Sequence, residues 1–165
     1  MPPIPIFRPS ARLIVRDSAD RILLFSSADE AGGTWWFTPG GAMRKGEEPA
    51  SAAVRELAEE TGFALGPAEA GPVVATCAGL WRGFDGTLFF GADSFHFVRV
   101  PHATVNTDGQ EDLERSLITG HRWWTAEELG EAGDVILPVG LPDLVAQLLA
   151  TGAPDWPVRL PWRTV

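Results

Sequence analysis

The residues best placed to do chemistry in this chain are three carboxylates. Glu56, Glu59 and Glu60 stand at i, i+3 and i+4 in the run Arg55-Glu56-Leu57-Ala58-Glu59-Glu60. On a helix that spacing brings all three to one face, within an arc of roughly 100°. Like charges so placed cost an isolated helix about 0.2–0.5 kcal/mol per pair, so the pattern asks for compensation. A divalent cation supplies it, and an all-carboxylate set suits a hard, oxygen-preferring ion such as Mg²⁺ or Mn²⁺. A solvated acidic face is the competing reading of the triplet taken alone.

The surrounding residues are those that would hold such a helix in place. Ala50, Val54, Leu57, Ala58 and Thr61 fall on the side away from the glutamates, as a buried stripe should. Pro49 suits the first helical position, since the amide it lacks would be unpaired there anyway. Gly62 stands just past the last turn, where left-handed backbone is common. Glu48 is the predicted N-cap, a weak capping residue whose charge still favours the helix N-terminus. Upstream, Pro39-Gly40-Gly41 lets backbone approach a ligand or metal where a Cβ would block it, and Gly46 marks a turn. The order is strand, glycine loop, helix, glycine stop.

The window from Gly41 to Phe63 resembles the Nudix box of the Nudix hydrolases, G-x5-E-x7-R-E-U-x-E-E-x-G-U, where U is apolar. Gly41, Glu47, Arg55, Glu56, Leu57, Glu59, Glu60, Gly62 and Phe63 fill its fixed places at the required spacing. The resemblance implies an α/β fold of the α+β type, a Nudix-like α/β/α sandwich with a central mixed β-sheet. It implies Mg²⁺- or Mn²⁺-dependent hydrolysis of a pyrophosphate joining a nucleoside diphosphate to another moiety. Glu59 and Glu60 are then the main metal ligands and Glu56 a further one, with the Gly40 carbonyl and a water-mediated Glu47 completing the shell. Arg55 is expected to orient a catalytic carboxylate through a forked salt bridge. Relatives place the general base either on this helix or in a distant loop. The loop candidates here are Glu111, Asp112 and Glu114, and Glu114 is chosen because its place before Arg122-Trp123-Trp124 resembles relatives. The alternative is a non-catalytic Nudix-fold module that binds a nucleotide as a sensor or regulator. Such a module tolerates losses in the metal helix, and here none is lost.

Composition bounds the rest. The chain has 165 residues, 45% hydrophobic and 21% charged, as in one soluble globular domain. Its net charge of −9 argues against a broad nucleic-acid surface. A small phosphate ligand remains compatible, because a bound metal changes the local field. The lone Cys77 forms no intramolecular disulfide, and its apolar surroundings suit a packed strand residue rather than a nucleophile. No window approaches roughly 18 uninterrupted apolar residues, and the N-terminus lacks a signal-peptide pattern, so a cytoplasmic protein is expected. His96, His102 and His121 are too scattered for a zinc site.

Residues 1–10, with four prolines, are expected to form an irregular arm, 11–152 the domain, and 153–165 a Pro/Trp-rich tail that packs back or docks onto a second subunit as a homodimer. Residues 11–17 and 21–27 read as a hairpin, and Gly91 with Asp93 suggests a bulge in the long strand 87–100. The stretch 101–113 reads as a loop over the active face. Helices are expected after Thr125, whose Glu128 completes a capping box, and from Pro142 to Ala150. Trp35, Trp36, Trp81 and Phe84 are candidates to stack the base of a small-molecule nucleotide, and Arg82 to meet a phosphate.

Overall fold

The computed structural model describes residues 1–163. Its strands are β1 (Ile6–Arg16), β2 (Ile22–Ala28), β3 (Thr34–Phe37), β4 (Gly40–Ala42), β5 (Val73–Arg82), β6 (Leu88–Arg99), β7 (Gly120–Trp124), β8 (Val135–Leu137) and β9 (Val158–Arg159). The helices are α1 (Pro49–Thr61), α2 (Asp112–Leu117), α3 (Ala126–Glu131) and α4 (Leu141–Thr151), with a 3₁₀ turn at Pro67–Ala70. Together they form the expected mixed α+β sandwich. None of these helices is long and apolar enough to cross a membrane.

The sheet is organised by β1. Leu13, Ile14 and Val15 are all fully buried, as befits a strand covered on both faces. Alternation sends them to different cores. Ala11, Leu13 and Val15 join Ala53, Leu57 and Phe63 under α1. Ile14 joins Trp124, Leu129, Leu144 and Leu148 under α3 and α4.

Strand order runs β8-β3-β2-β1-β6-β5-β9, with β4 added to β1 and β7 to β2. β1 pairs in parallel with β6 over its whole length, from Ile6–Phe89 to Arg16–Arg99. The expected hairpin of β1 and β2 survives only at its turn, where Arg16 pairs with Ile22. Beyond that point the strands part, and β4 takes the vacated edge of β1 from Ser10 to Arg12.

Residues 6–10 are not an irregular arm, because β1 begins at Ile6 and is laddered to β6. Pro9 fits there for a geometric reason. Its carbonyl accepts from the Met43 N–H, 2.9 Å away, so its own nitrogen points to that same side, away from β6, and the parallel ladder to β6 loses no bond.

The tail packs back on the domain. β9 runs parallel to β5, the Leu160 N–H donates to the Thr76 carbonyl at 2.8 Å, and Leu160 is buried in the α4-side core with Trp162 against it. Cutting the chain after Gly152 therefore removes core side chains, each worth about 2–5 kcal/mol when truncated. The expected result is a melting temperature lower by on the order of 10 °C. A thermal melt identical to that of the full chain would refute this packing.

Candidate active site

α1 is placed against β1 and β4 by its apolar residues Ala52, Ala53, Val54 and Leu57, all buried. The buried face is wider than the expected stripe and is turned by about one position. Ala58 is exposed, whereas Glu56 and Glu60 are only 6% and 3% exposed. Two glycines of β4, the strand before the helix, make room for those carboxylates. The Gly40 N–H donates to Glu60 Oε2 at 2.8 Å. A Cβ at Gly41 would lie 2.7 Å from Glu56 Oε1, so glycine is what lets that carboxylate in. Gly62 ends the helix with φ +78°, as its position predicts.

The expected loop 101–113 ends in a short helix, α2, which carries Glu114 to the site. Oxygens of Glu56, Glu60 and Glu114 lie within 4.8 Å of one another. Glu114 also closes a capping box, its Oε2 accepting from the Glu111 N–H at 2.8 Å. Gln110, just upstream, is buried and donates from Nε2 to the Glu60 carbonyl at 3.3 Å. The loop is thus tied to the C-terminal end of α1, which fixes where Glu114 falls.

Arg55 is the hub on the other side. Its Nε and Nη2 grip both oxygens of Glu47 at 2.9 Å, and its Nη1 meets Glu56 Oε1 at 2.9 Å and Glu59 Oε2 at 3.5 Å. Nη2 also donates to the Ala42 carbonyl. One planar cation thus locks three carboxylates in orientation, which a lysine's point charge cannot do. The Arg55 hydrogen bonds hold Glu47 down at about 2. Glu47 is therefore a brace in this arrangement, with the Arg44 N–H as a further donor. Glu59 stands outside the three-carboxylate cluster, turned toward Arg44 and Arg55.

Burial pushes Glu60 up to about 8 against the donation from Gly40, and burial likewise raises Glu56. Two desolvated acids beside a third form an unfavourable group unless protonated or bridged by a cation. An all-oxygen cluster of this kind fits Mg²⁺ or Mn²⁺.

A NUDIX-domain family model matches residues 6–139. The chain belongs to the Nudix family. Several solved structures share its fold. The E. coli ORF135 protein is 21% identical with a TM-score of 0.60, covering 93% of this chain and 99% of its own. The MutT protein from Bacillus halodurans is 19% identical with a TM-score of 0.60, covering 88% and 84%. The Nudix domain of Shewanella oneidensis NrtR, solved with ADP ribose, is 15% identical with a TM-score of 0.57, covering 89% and 90%. No curated protein matches the sequence significantly.

Beside the acids this Nudix domain has a cleft of about 390 Å³, lined in part by Arg12, Trp35, Trp81, Asp93 and Trp162. Arg12 joins cleft and acids. Its Nη1 donates to the Gly40 carbonyl at 3.4 Å, its Nε lies 3.6 Å from Asp93, and its charge is felt at Glu60. Of the aromatic candidates, Trp35 and Trp81 line the cleft. Trp36 instead packs edge-on against Trp124, ring centres 5.0 Å apart, and donates to Asp134. Phe84 is exposed, and Arg82 lies at the β5–β6 hairpin, donating to the Gly86 carbonyl. Gly91 marks no bulge, since the register shift falls between Val73 and Ala75.

Sequence reasoning passed over Arg12 and read Asp93 only as part of a bulge. A signal existed for the first: Arg12 interrupts the apolar run from Ala11 to Val15.

Proposed function

We propose that this Nudix protein is a Mg²⁺- or Mn²⁺-dependent hydrolase of a pyrophosphate bond in a nucleoside diphosphate linked to another moiety. The observation that carries the reading is the meeting of buried Glu56 and Glu60 on α1 with half-buried Glu114 on α2, more than 50 positions later in sequence, in one cluster. Glu56 and Glu60 would hold the ion, with Glu59 and the Gly40 carbonyl beside them. When bound, the metal neutralises phosphate oxygens and lowers the pKa of a coordinated water.

The chain's own residues do the rest. Arg55 keeps Glu56 and Glu59 aimed, Arg12 offers a cation to the phosphates between cleft and acids, and Glu114 accepts the proton of the attacking water. A nucleotide ligand agrees with the ADP ribose held by the NrtR domain and with the C. elegans Ap4A hydrolase, solved as a binary complex and 15% identical.

The test is phosphate release with Mg²⁺ over ADP-ribose, sugar nucleotides, dinucleoside polyphosphates and normal and oxidised triphosphates, with Glu114→Gln alongside. A positioned base contributes about 10²–10⁴-fold. Glu114→Gln is therefore expected to lower kcat within that range while Mg²⁺ affinity, read by calorimetry, changes much less. Full activity in that variant would remove Glu114 from the base role. Silence of the wild type across the panel, with a nucleotide still raising its melting temperature, would favour the sensor module.

A further inference from the structure

Gly79 and Gly91 face each other directly across β5 and β6. Two glycines in register leave a bare patch in the sheet, and the Trp162 indole lies on it. A Cβ at Gly91 would sit 2.8 Å from Trp162 Cη2, and one at Gly79 would run into Cδ1 and Cγ of the same ring. The indole Nε1 donates to the Leu80 carbonyl at 3.2 Å, which fixes the ring's rotation. Trp162 also lines the cleft, so it offers an aromatic wall there whose backing is rigid sheet.

The polar groups of the cleft are ordered around that wall. Asp93 is largely enclosed, its side chain 16% exposed, and both Arg12 Nε and Cys77 Sγ approach its Oδ2. Next along is Arg12, which reaches the Thr38 and Gly40 carbonyls and so the edge of the acid cluster. An aromatic plane, an acceptor at its edge, a cation, then carboxylates is the sequence of chemistry that a nucleotide presents in complement.

We infer that the C-terminal segment is a wall of the substrate site, with Trp162 stacking a nucleobase whose edge donates N–H groups to Asp93. This rests on the hydrolase reading above and extends it to the substrate class. Guanine is the base that sets two N–H donors side by side, as a carboxylate requires. Its phosphates then run past Arg12 toward Glu56, Glu60 and Glu114. The tail determines which nucleotide is held; it takes no part in the bond cleavage.

Guanosine 5′-monophosphate titrated in EDTA against protein with ¹⁵N-labelled tryptophan tests this without metal or turnover. The indole resonance missing from Trp162→Phe is expected to shift in the wild type, while that of exposed Trp156 stays. Base–aromatic stacking implies at least about fivefold weaker binding in Trp162→Ala, with affinity retained in Trp162→Phe. Gly79→Ala, which keeps Trp162 in the chain and fills its seat, is expected to lose affinity likewise. Asp93→Asn is expected to narrow the preference for guanosine over uridine monophosphate. Unchanged affinity in both Trp162→Ala and Gly79→Ala would overturn the wall, and an unchanged preference in Asp93→Asn would overturn the choice of base. Binding through Trp162 in a protein that hydrolyses no nucleotide would sink the hydrolase reading alone. Hydrolysis with the same KM in both wall variants would sink this inference alone.

Discussion

Glu60→Gln is expected to remove metal-dependent turnover and at the same time to raise the melting temperature of the metal-free protein at pH 8. The loss follows from its place in the cluster with Glu56 and Glu114. Residues merely supporting a metal ligand are worth about 10–100-fold, so a loss of more than about 100-fold is expected for a ligand itself.

The gain follows from burial. Glu60 titrates at about 8 in the folded protein against an ordinary 4.5. Between those values the folded chain keeps a proton that the unfolded chain has released, so stability falls as pH rises. Its contribution is intact below about pH 4.5 and lost by about pH 8. Glutamine has no proton to lose and can still accept from the Gly40 N–H. The variant is expected to melt roughly 5 °C above wild type at pH 8 in EDTA and alike at pH 4.5. Equal melting at both pH values would show that desolvation of Glu60 does not strain the apo fold. Mg²⁺ should reverse the order at pH 8, because only the wild type can exchange its proton for the ion.

The second large effect is on the fold. Gly40 adopts φ +133°, and a Cβ there would collide with the Ala11 carbonyl oxygen and lie 2.6 Å from Arg12 Cα. Both obstacles are backbone of β1, so nothing can swing aside. Gly40→Ala must lift β4 from β1 and pull the Gly40 N–H from Glu60. A destabilisation of at least about 3 kcal/mol is expected. Gly46→Ala is the control: its φ is +76°, but nothing lies within 4 Å of the added carbon, so only backbone strain of about 1 kcal/mol applies. Chemical denaturation of the two variants decides the matter. Equal costs would mean that close contact with β1 is not what Gly40 serves.

Much of this was legible in the sequence because it is local. The helix, its proline start and its glycine stop all depend on residues a few positions apart, and all were read correctly. What failed was long-range. Ala58 looked buried because periodicity reports an average stripe, whereas Gly40 and Gly41 open space that draws Glu56 and Glu60 inward. Pro9 looked like a strand breaker, but its nitrogen faces the Met43 side, so the long parallel ladder with β6 on the other edge is untouched. Gly91 looked like a bulge because a glycine in a strand has several uses. Its opposition to Gly79, and the indole seated on both, join residues 162, 79 and 91, which no window spans. The choice of Glu114 came from resemblance, and α2 brings it to the acids, yet its role there still rests on the proposed experiment.

The parallel ladder between β1 and β6 has a consequence for how this molecule comes into being. Ile6 meets Phe89, so the central pairing must close a loop of about 80 residues before it gains anything, which is a slow kind of assembly. The box helix lies inside that loop and rests on β1, and Glu114 arrives from beyond its far end. A fragment ending at Phe63 would contain every residue of the box and strands β1 to β4, but neither β6 to ladder β1 nor Glu114. The acid cluster is therefore a late product of folding, present only when the whole domain is.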